Sequence, residues 1–493
     1  MSGTASPVTL ASLVERVTRR DFFDGTGDGR VRWWLGIDVA CRAAHQASLA
    51  DDRGGFLWSG RRFRTTAAEL ERLWAMLPAG TEPASVTVIM EPTRNAWVPL
   101  AAWFRRRGAR VVMVPPERSA DLRAYYAKHT KSDRLDSRIL ARVPLLHPDG
   151  LHTEDGIGPG HPMRRAVKLR STLVKRRTAT LARLDALLEV LGPAWVGALS
   201  SNMTKTALRF LAHYADPHQV KRLGRARLGR FLYRHSRGAW GEALADQLLA
   251  AAAETLALWG EELDYPDLAE DIAIEARLAL HLTGEITELD ERIAVLLTDA
   301  DPTGILQSVP GVGPVLAAQI LGRLGDPNRF GSLAGIRSFS GLVPRLDASG
   351  LSGRHGGPTK AGDACLREAL FMAAQQARRT DPALAAKYHR LMTQAGKHHN
   401  SALCHVGTAL LTRIAACWRR GEHYTLRDVD GHPVDVERAR AIIAERYTVS
   451  PELRAARRTT SAIPHRTGRR SKESRSAPST GPSSPHATTG RTA

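Results

Sequence analysis

The order of apolar segments between residues 31 and 142 restricts this chain to few folds. Three short runs come first, with the turn Arg53-Gly54-Gly55 between the second and the third, and they predict an antiparallel meander. Segments whose apolar residues have helical spacing then alternate with buried strands. The predicted strands are Trp33 to Val39, His45 to Asp51, Phe56 to Arg64, Val86 to Met90 and Arg110 to Val114, and the predicted helices are Ala67 to Met76, Ala96 to Arg107 and Ser132 or Asp133 to about Arg142.

Three paired strands followed by alternating helices and strands are the order of a ribonuclease-H-like α/β fold. Four acidic residues occupy particular places in that order. Asp38 falls on the central first strand and Glu91 at the end of the fourth. Asp133 and Asp136 are three residues apart and share one face of the last helix. We therefore expect the four carboxylates to converge.

A carboxylate beside a buried strand costs free energy, and four carboxylates in one place repel each other. A hard divalent cation removes both penalties, because Mg²⁺ is held by carboxylates and by substrate phosphates. The pattern thus predicts a metal-dependent phosphoryl-transfer site with all four acidic residues as Mg²⁺ ligands. Taken singly, these residues have simpler roles: Asp133 is a good N-cap, and Arg134 or Arg138 can pair with Asp136.

The net charge of the chain indicates its substrate. Lys and Arg number 70 and Asp and Glu number 50, so the formal charge is 70 − 50 = +20. Such a surplus attracts phosphate backbones and is hard to explain in an enzyme of small molecules. The simpler alternative is a basic protein that is merely soluble. Together with the carboxylates, the charge predicts contact with nucleic acid.

Length and cysteine content set further limits. The 493 residues suggest roughly two to four domains. The four cysteines form no CxxC pair, which is typical of reduced thiols in a cytosol. No apolar run approaches the ~18 residues of a membrane span, and the N-terminus has no apolar signal-peptide core. We therefore expect a cytoplasmic bacterial protein associated with the nucleoid.

A second motif lies in the stretch Val309 to Pro314, where Gly311 and Gly313 precede a predicted helix from Val315 to Leu324. Gly-x-Gly between two helices lets backbone N–H groups face a phosphate at a helix N-terminus. This is the pattern of a helix-hairpin-helix element, which binds the DNA backbone without base specificity. The alternative is an ordinary corner between two helices.

A third, polar stretch from Gly341 to Arg367 contains Ser349 directly before a glycine, with Arg345, Arg354 and Lys360 nearby. A serine hydroxyl can attack a phosphodiester when a metal or base activates it and cations stabilise the added negative charge. The three cations are candidate nucleic-acid contacts. From chemistry alone, however, a serine in a turn is the simpler interpretation.

Residues 161–300 are predicted to be almost entirely helical. Five apolar residues repeat at four-three-four-three spacing, namely Leu282, Ile286, Leu289, Ile293 and Leu296. They form a seam of about two heptads, for which a dimer interface and packing inside one chain are equally open. The arginine-rich segment from Lys221 to Arg237 favours nucleic-acid contact over a merely solvated face. From about Arg457 the composition predicts a disordered basic tail.

Several motifs resemble those of one family. Gly36 to Ala40, Met90 to Trp97 and Lys131 to Asp136 are similar to the N-terminal motifs of insertion-sequence 110 family transposases. Pro310 to Gly313 and the Gly341 to Arg367 stretch resemble the C-terminal transposase domain of that family. The resemblance covers roughly residues 31–145 and 301–415.

The resemblance implies a DEDD transposase with a RuvC-like nuclease domain and a second domain that carries a nucleophilic serine. The acidic residues would then bind Mg²⁺ and Ser349 would be the nucleophile. The resemblance also implies guidance by a structured bridge RNA and active sites composed across the subunits of a tetramer. Cys41 stands where the family commonly has Lys, and Asp363 where it commonly has Asn.

The sequence therefore predicts a DNA transposase or recombinase that mobilises its own insertion sequence, with DNA, a structured RNA and further copies of the chain (a dimer or tetramer) as partners. Two alternatives are a RuvC-like junction nuclease that uses water and a non-catalytic nucleic-acid-binding protein. The predicted organisation has five parts: an N-terminal extension (1–30), the RuvC-like domain (31–150), a helical linker or coiled-coil region (151–300), the C-terminal transposase domain with the helix-hairpin-helix (301–424) and a C-terminal extension (425–493). The domains after the RuvC-like domain are predicted to be mainly helical.

Overall fold

The computed structural model describes residues 31–126, 132–146, 151–153, 160–199, 203–349 and 352–459. The predicted N-terminal extension and the part of the basic tail beyond residue 459 lie outside the described residues.

A mixed six-stranded sheet opens the described chain. Its strands are β1 (Trp33–Asp38), β2 (His45–Asp51), β3 (Phe56–Phe63), β4 (Val86–Met90), β5 (Arg110–Met113) and β6 (His152–Thr153). Their order is β3-β2-β1-β4-β5-β6, with β1 antiparallel to β2 and parallel to β4. The predicted meander and the central place of β1 are thereby confirmed. The two-residue β6 was not predicted, because so short a strand carries no periodic pattern.

Helices cover both faces of this sheet: α1 (Ala67–Trp74), α2 (Trp97–Arg106), α3 (Pro116–Tyr126) and α4 (Asp133–Leu146). One face of β1 buries Leu35 and Ile37 in a core shared with α1 and α2. The other face buries Trp34 against Leu140 and Val143 of α4. Alternate β1 side chains thus point into two separate cores, as the two-residue period of a strand requires.

Gly36 allows α4 to lie directly on β1. A Cβ atom at this position would lie 2.2 Å from the Ser137 carbonyl oxygen and 2.3 Å from the Ala141 amide nitrogen. Both are backbone atoms of α4, so no side-chain rotation can relieve the overlap.

We expect Gly36→Ala to lower the free energy of unfolding by about 3 kcal/mol, because α4 must move off the sheet. The measurement is urea unfolding of the full chain. Gly284→Ala is the control, since a Cβ there meets nothing within 4 Å and helix propensity favours alanine. Equal unfolding midpoints for the two variants would contradict the close contact.

The middle of the chain is helical, as predicted. Its helices are α5 (Pro162–Leu191), α6 (Pro193–Leu199), α7 (Lys205–Leu211), α8 (Pro217–His235), α9 (Glu242–Trp259) and α10 (Tyr265–Ala300). The ends of the two longest helices, α5 and α10, belong to different cores: one with the C-terminal helices and one with α6 to α9. No helix within the described ranges is both long enough and apolar enough to cross a membrane.

The predicted seam of α10 packs inside the chain. Leu282, Leu289 and Ile293 are buried, and α10 packs along α5. The pair is antiparallel and is held by Arg170 on Asp290 and by Arg183, whose Nε donates to Glu275 at 2.8 Å. Of the two interpretations left open by the sequence, packing within one chain is the one observed for this seam.

The C-terminal part is a helical unit with one β-hairpin. Its elements are α11 (Pro314–Leu324), α12 (Leu333–Ser340), β7 (Pro344–Ser349), β8 (Ser352–Pro358), α13 (Ala364–Thr380), α14 (Pro382–Thr393), α15 (His399–Arg420), α16 (Val436–Arg446) and α17 (Pro451–Thr459). The hairpin replaces the polar loop expected around Ser349. Small and charged residues in these strands hid the alternation by which a strand is predicted.

Candidate active site

Asp38 and Glu91 lie side by side at one end of the sheet. β1 and β4 are parallel neighbours, and Ile37 is in register with Met90. Asp38 is the last residue of β1 and Glu91 directly follows β4, so the two occupy equivalent places on strands about 4.8 Å apart. Both residues are half-buried. The predicted meeting of these two residues at one sheet edge is thus observed.

The loop after Glu91 has a constrained backbone. The Thr93 amide donates to the Glu91 carbonyl at 2.8 Å, and the Trp97 indole donates to the Arg94 carbonyl at 3.1 Å. Arg94 adopts φ 49°, a conformation that residues other than glycine rarely adopt. Strain of this kind persists where the surrounding structure enforces it, and it clusters at functional sites.

The first turn of α4 supplies the other two acids. Ser132 caps this helix, since its hydroxyl accepts from the Leu135 amide at 3.3 Å. The Ser137 hydroxyl lies 2.8 Å from that of Ser48 on β2, which fixes α4 across the sheet. Asp136 precedes Ser137 and is half-buried, whereas Asp133 is exposed.

Two side chains of α3 engage the candidate ligands. Arg123 Nη1 donates to both carboxylate oxygens of Asp136, at 3.1 and 3.0 Å. The Ser119 hydroxyl donates to Glu91 Oε2 at 2.5 Å. Sequence reasoning missed both partners, because the contact depends on how α3 packs and not on any local pattern.

The arginines that the sequence offered as partners of Asp136 point elsewhere. Arg138 stacks on the Phe56 ring with its guanidinium carbon 4.4 Å from the ring centroid. Arg134 Nε donates to the Ser59 hydroxyl at 3.4 Å. Because both arginines pack against β3, neither pairs with Asp136, and Arg123 of α3 is the arginine that contacts it.

The donor chemistry of the four acids suits a hard divalent cation. In the described residues, however, no three Asp, Glu, His or Cys side chains lie together as ligands of one ion. Arg123, whose Nη1 contacts both oxygens, neutralises Asp136 in this conformation. A cation that takes Asp136 as a ligand must therefore displace the guanidinium.

The hairpin that carries Ser349 has a tightly closed base. A Cβ on Gly362 would lie 2.4 Å from the Phe339 carbonyl oxygen and 2.6 Å from the Gly341 amide nitrogen. The Lys360 amide donates to the Gly341 carbonyl at 3.1 Å, with Lys360 at φ 56°. Ser349 ends β7 and pairs with Ser352.

Within the described residues, β7 and β8 pack extensively only on each other. The exposed Arg345 lies near the base of the hairpin, and Arg354 pairs in register with Asp347.

Asp363 connects this base to α11. Its carboxylate caps α13 by accepting from the Leu366 amide at 2.9 Å, and it forms an ion pair with Arg323. Burial alone raises the pKa of Asp363, but the hydrogen bonds from Arg323 and the Leu366 amide outweigh it, so its pKa lies below the ordinary value. Arg323 thus gives a physical reason for an acid at this position.

We expect Asp363→Ala to lower the free energy of unfolding by about 3 kcal/mol, because it leaves the largely buried Arg323 without a counter-charge. Asp435→Ala removes the exposed cap of α16 and is expected to cost about 1 kcal/mol. Urea unfolding of both variants at neutral pH makes the comparison. Equal losses would mean that Asp363 acts as a cap alone.

The two glycines of the predicted helix-hairpin-helix differ in their surroundings. Gly311 has φ +80°, and a Cβ there would lie 2.6 Å from the Ala373 carbonyl oxygen of α13. Gly313 precedes α11, and a Cβ at this position would meet no other atom within 4 Å. A groove of about 830 Å³ runs along this loop and is closed on the far side by Tyr424 and Asp435.

Comparisons with known proteins match both halves of the chain. A transposase family model of the DEDD type from IS110 elements matches residues 35–193, and the transposase IS116/IS110/IS902 family matches residues 303–390. The acids and the serine fall inside these two segments. The DEDD model implies a ribonuclease-H-like fold for the sheet domain and dependence on a divalent metal.

Individual relatives agree with the family models. A 43.6 kDa protein of insertion element IS110 from Streptomyces coelicolor is 26% identical over 407 residues, 80% of this chain and 96% of the relative. A 42 kDa protein of insertion element IS900 from Mycobacterium paratuberculosis is 27% identical over 372 residues, 75% of this chain and 91% of the relative. A pilin gene-inverting protein of Moraxella bovis is 28% identical over 152 residues, 30% of this chain and 47% of the relative.

Proposed function

Because the chain belongs to the IS110 family of transposases, which cleave and rejoin DNA, we propose that it mobilises its own insertion sequence through a serine nucleophile and a Mg²⁺-binding carboxylate site. The observation that carries the proposal is the sheet edge where Asp38 and Glu91 are neighbours, on a strand against which α4 packs closely. Membership of a transposase family does not fit the alternative of a non-catalytic nucleic-acid-binding protein.

In this proposal Asp38, Glu91, Asp133 and Asp136 hold the cation. When bound, Mg²⁺ would polarise the scissile phosphate and stabilise the leaving oxygen. Arg123 would give up its contact with Asp136 when a cation takes this carboxylate, and its guanidinium would then be available to pair with a phosphate. Ser119 keeps the Glu91 carboxylate oriented by its hydrogen bond.

The proposed chemistry is transesterification. The Ser349 hydroxyl loses its proton, its oxygen bonds to phosphorus, and the bond from phosphorus to the deoxyribose oxygen breaks. The leaving oxygen takes up a proton. The hydroxyl of a new strand end then attacks the phosphoserine ester: its oxygen bonds to phosphorus, the bond from phosphorus to the serine oxygen breaks, and the proton that the attacking hydroxyl loses is balanced by the one that the serine oxygen takes up. One phosphodiester is replaced by another, so strands are rejoined without ATP.

The partners follow from the same proposal. The open Gly313 amide region, Arg345, Arg354 and Lys360 contact nucleic-acid backbone, whereas Gly311 supports that loop by packing on α13. A structured bridge RNA guides target choice. In this proposal the hairpin of one subunit serves the carboxylates of another in a dimer or tetramer. The lack of an extensive contact between the hairpin and the six-stranded sheet, within the described residues, supports this arrangement.

A recombination assay tests the proposal against the remaining alternative, a junction nuclease that uses water. Supercoiled plasmid carrying an element junction and a target is incubated with the protein, the RNA transcribed beside the gene, and Mg²⁺ or EDTA. We expect joined product with Mg²⁺, without ATP, and none with EDTA. Nicked or linear DNA without joined product would favour the junction nuclease.

A further inference from the structure

The helical region from residue 194 to residue 302 lies between the two segments that the family models match. Helices α6 to α9 and the first half of α10 enclose a separate core there, together with the C-terminal end of α5. In α8 this core buries Leu228 and Leu232. The opposite face of α8 is therefore directed outward and is available for another role.

That outward face is a row of arginines. Arg227, Arg230 and Arg234 are spaced three and four residues apart, so they share one side of α8, and Arg237 follows in the turn after the helix. All four are exposed. We call these four residues the α8 basic face. They extend over about 15 Å at the rise of a helix.

The α8 basic face is not neutralised within the described chain. Residues 203–240 contain nine Lys and Arg and one Asp, a balance of 9 − 1 = +8. None of the four arginines forms an ion pair with a described carboxylate, whereas the neighbouring Arg225 pairs with Glu242 and Asp246.

The two long helices, α5 and α10, contain arginines that do have carboxylate partners. There, Arg170 and Arg183 of α5 are matched by carboxylates of α10. Unmatched like charges along one face repel one another and destabilise the folded state unless an anion lies against them. An external anion is therefore the partner that the α8 basic face lacks within the described chain, whereas Arg170 and Arg183 have theirs on α10.

Tyr233 adds to the case for a phosphate backbone. Its side chain is 63% exposed, and it lies three residues after Arg230, at the edge of the same face. Tyrosine hydroxyls and arginines are the donors that proteins place on phosphate oxygens. Since the enzyme acts on DNA, its phosphates are the polyanion that this face meets.

We propose that the α8 basic face is a docking surface for the backbone of duplex DNA, separate from the carboxylate edge and the serine hairpin. It would hold DNA beside the cleaved segment without base specificity, because contacts with phosphate oxygens carry no direct sequence information. This surface goes beyond the proposed chemistry, and its role does not depend on whether Ser349 or water attacks.

The test is DNA binding by the full chain in EDTA, so that no cleavage occurs. A variant with Gln at all four positions (Arg227→Gln, Arg230→Gln, Arg234→Gln and Arg237→Gln) is compared with one carrying Lys at the same positions. Anisotropy of a labelled duplex is followed across salt concentrations. We expect the slope of log K against log salt to become less steep by about 3 to 4 in the Gln variant, because each lost phosphate contact removes about 0.9. The Lys variant should keep the wild-type slope.

Two further arms settle the interpretation. The pairs Arg227→Gln/Arg230→Gln and Arg234→Gln/Arg237→Gln should each give about half of the shift, which guards against a folding defect of the fourfold variant. A slope that is unchanged in the fourfold variant overturns the proposal. A loss confined to structured RNA, with duplex DNA binding unchanged, also overturns it and assigns the face to RNA.

Discussion

Ser349→Ala is expected to lower the yield of recombinant DNA by about 10³-fold or more, because it removes the proposed nucleophile. Binding of DNA and of divalent metal should stay near wild type, since the substitution removes one oxygen atom and no charge. The measurement is the recombination assay on supercoiled plasmid, with binding followed in parallel by anisotropy.

Ser352 provides the matched control for Ser349. It is the partner of Ser349 across the hairpin register, so Ser352→Ala makes the same chemical change in the same strand pair. We expect this variant to recombine within a few-fold of wild type. Similar losses in both variants would indicate damage to the hairpin, and wild-type yield from Ser349→Ala would assign the attack to water or another hydroxyl.

Asp38→Asn and Glu91→Gln are each expected to abolish strand cleavage while leaving DNA binding intact. Each change removes a charged ligand with little change in volume, and a neutral amide binds Mg²⁺ more weakly than a carboxylate. Cleavage of labelled DNA is one measurement. The second is Mn²⁺ binding followed by electron paramagnetic resonance, which does not depend on activity.

Asp52→Asn is the control for these two substitutions. Asp52 is an exposed carboxylate next to Asp51, which pairs with Trp33 at the opposite end of β1 from Asp38. This variant should bind Mn²⁺ and cut DNA like wild type. If Asp38→Asn and Glu91→Gln also do so, the metal site lies elsewhere.

The N-terminal fold was largely predictable because its signals are local. β1, β2 and β3 are short runs with a Gly-rich turn between the second and the third, and β4 is wholly buried and apolar except for Thr87, so their order alone placed Asp38 and Glu91 at one edge. The closeness of α4 to β1 was not predicted. It depends on Gly36 facing the α4 backbone, and a lone glycine in a strand does not identify what packs on it.

The remaining features of the site depend on tertiary packing. Arg123 follows no periodic pattern, and its contact with Asp136 arises only when α3 folds back on α4. The seam on α10 has the same spacing whether its partner is α5 or a second chain, so the sequence could not choose between them. Strands β7 and β8 lack apolar alternation, because the hairpin packs chiefly on itself.

The central claim is that a serine oxygen, and not water, attacks the phosphodiester. Recombination in water enriched in oxygen-18, followed by mass spectrometry of nuclease-digested products, tests it most directly. Attack by Ser349 and transfer to a new strand end involve no water, so we predict no oxygen-18 in the phosphates of cleaved or joined strands. Oxygen-18 in the phosphates at cleaved ends would contradict the account, because only hydrolysis places a water oxygen there.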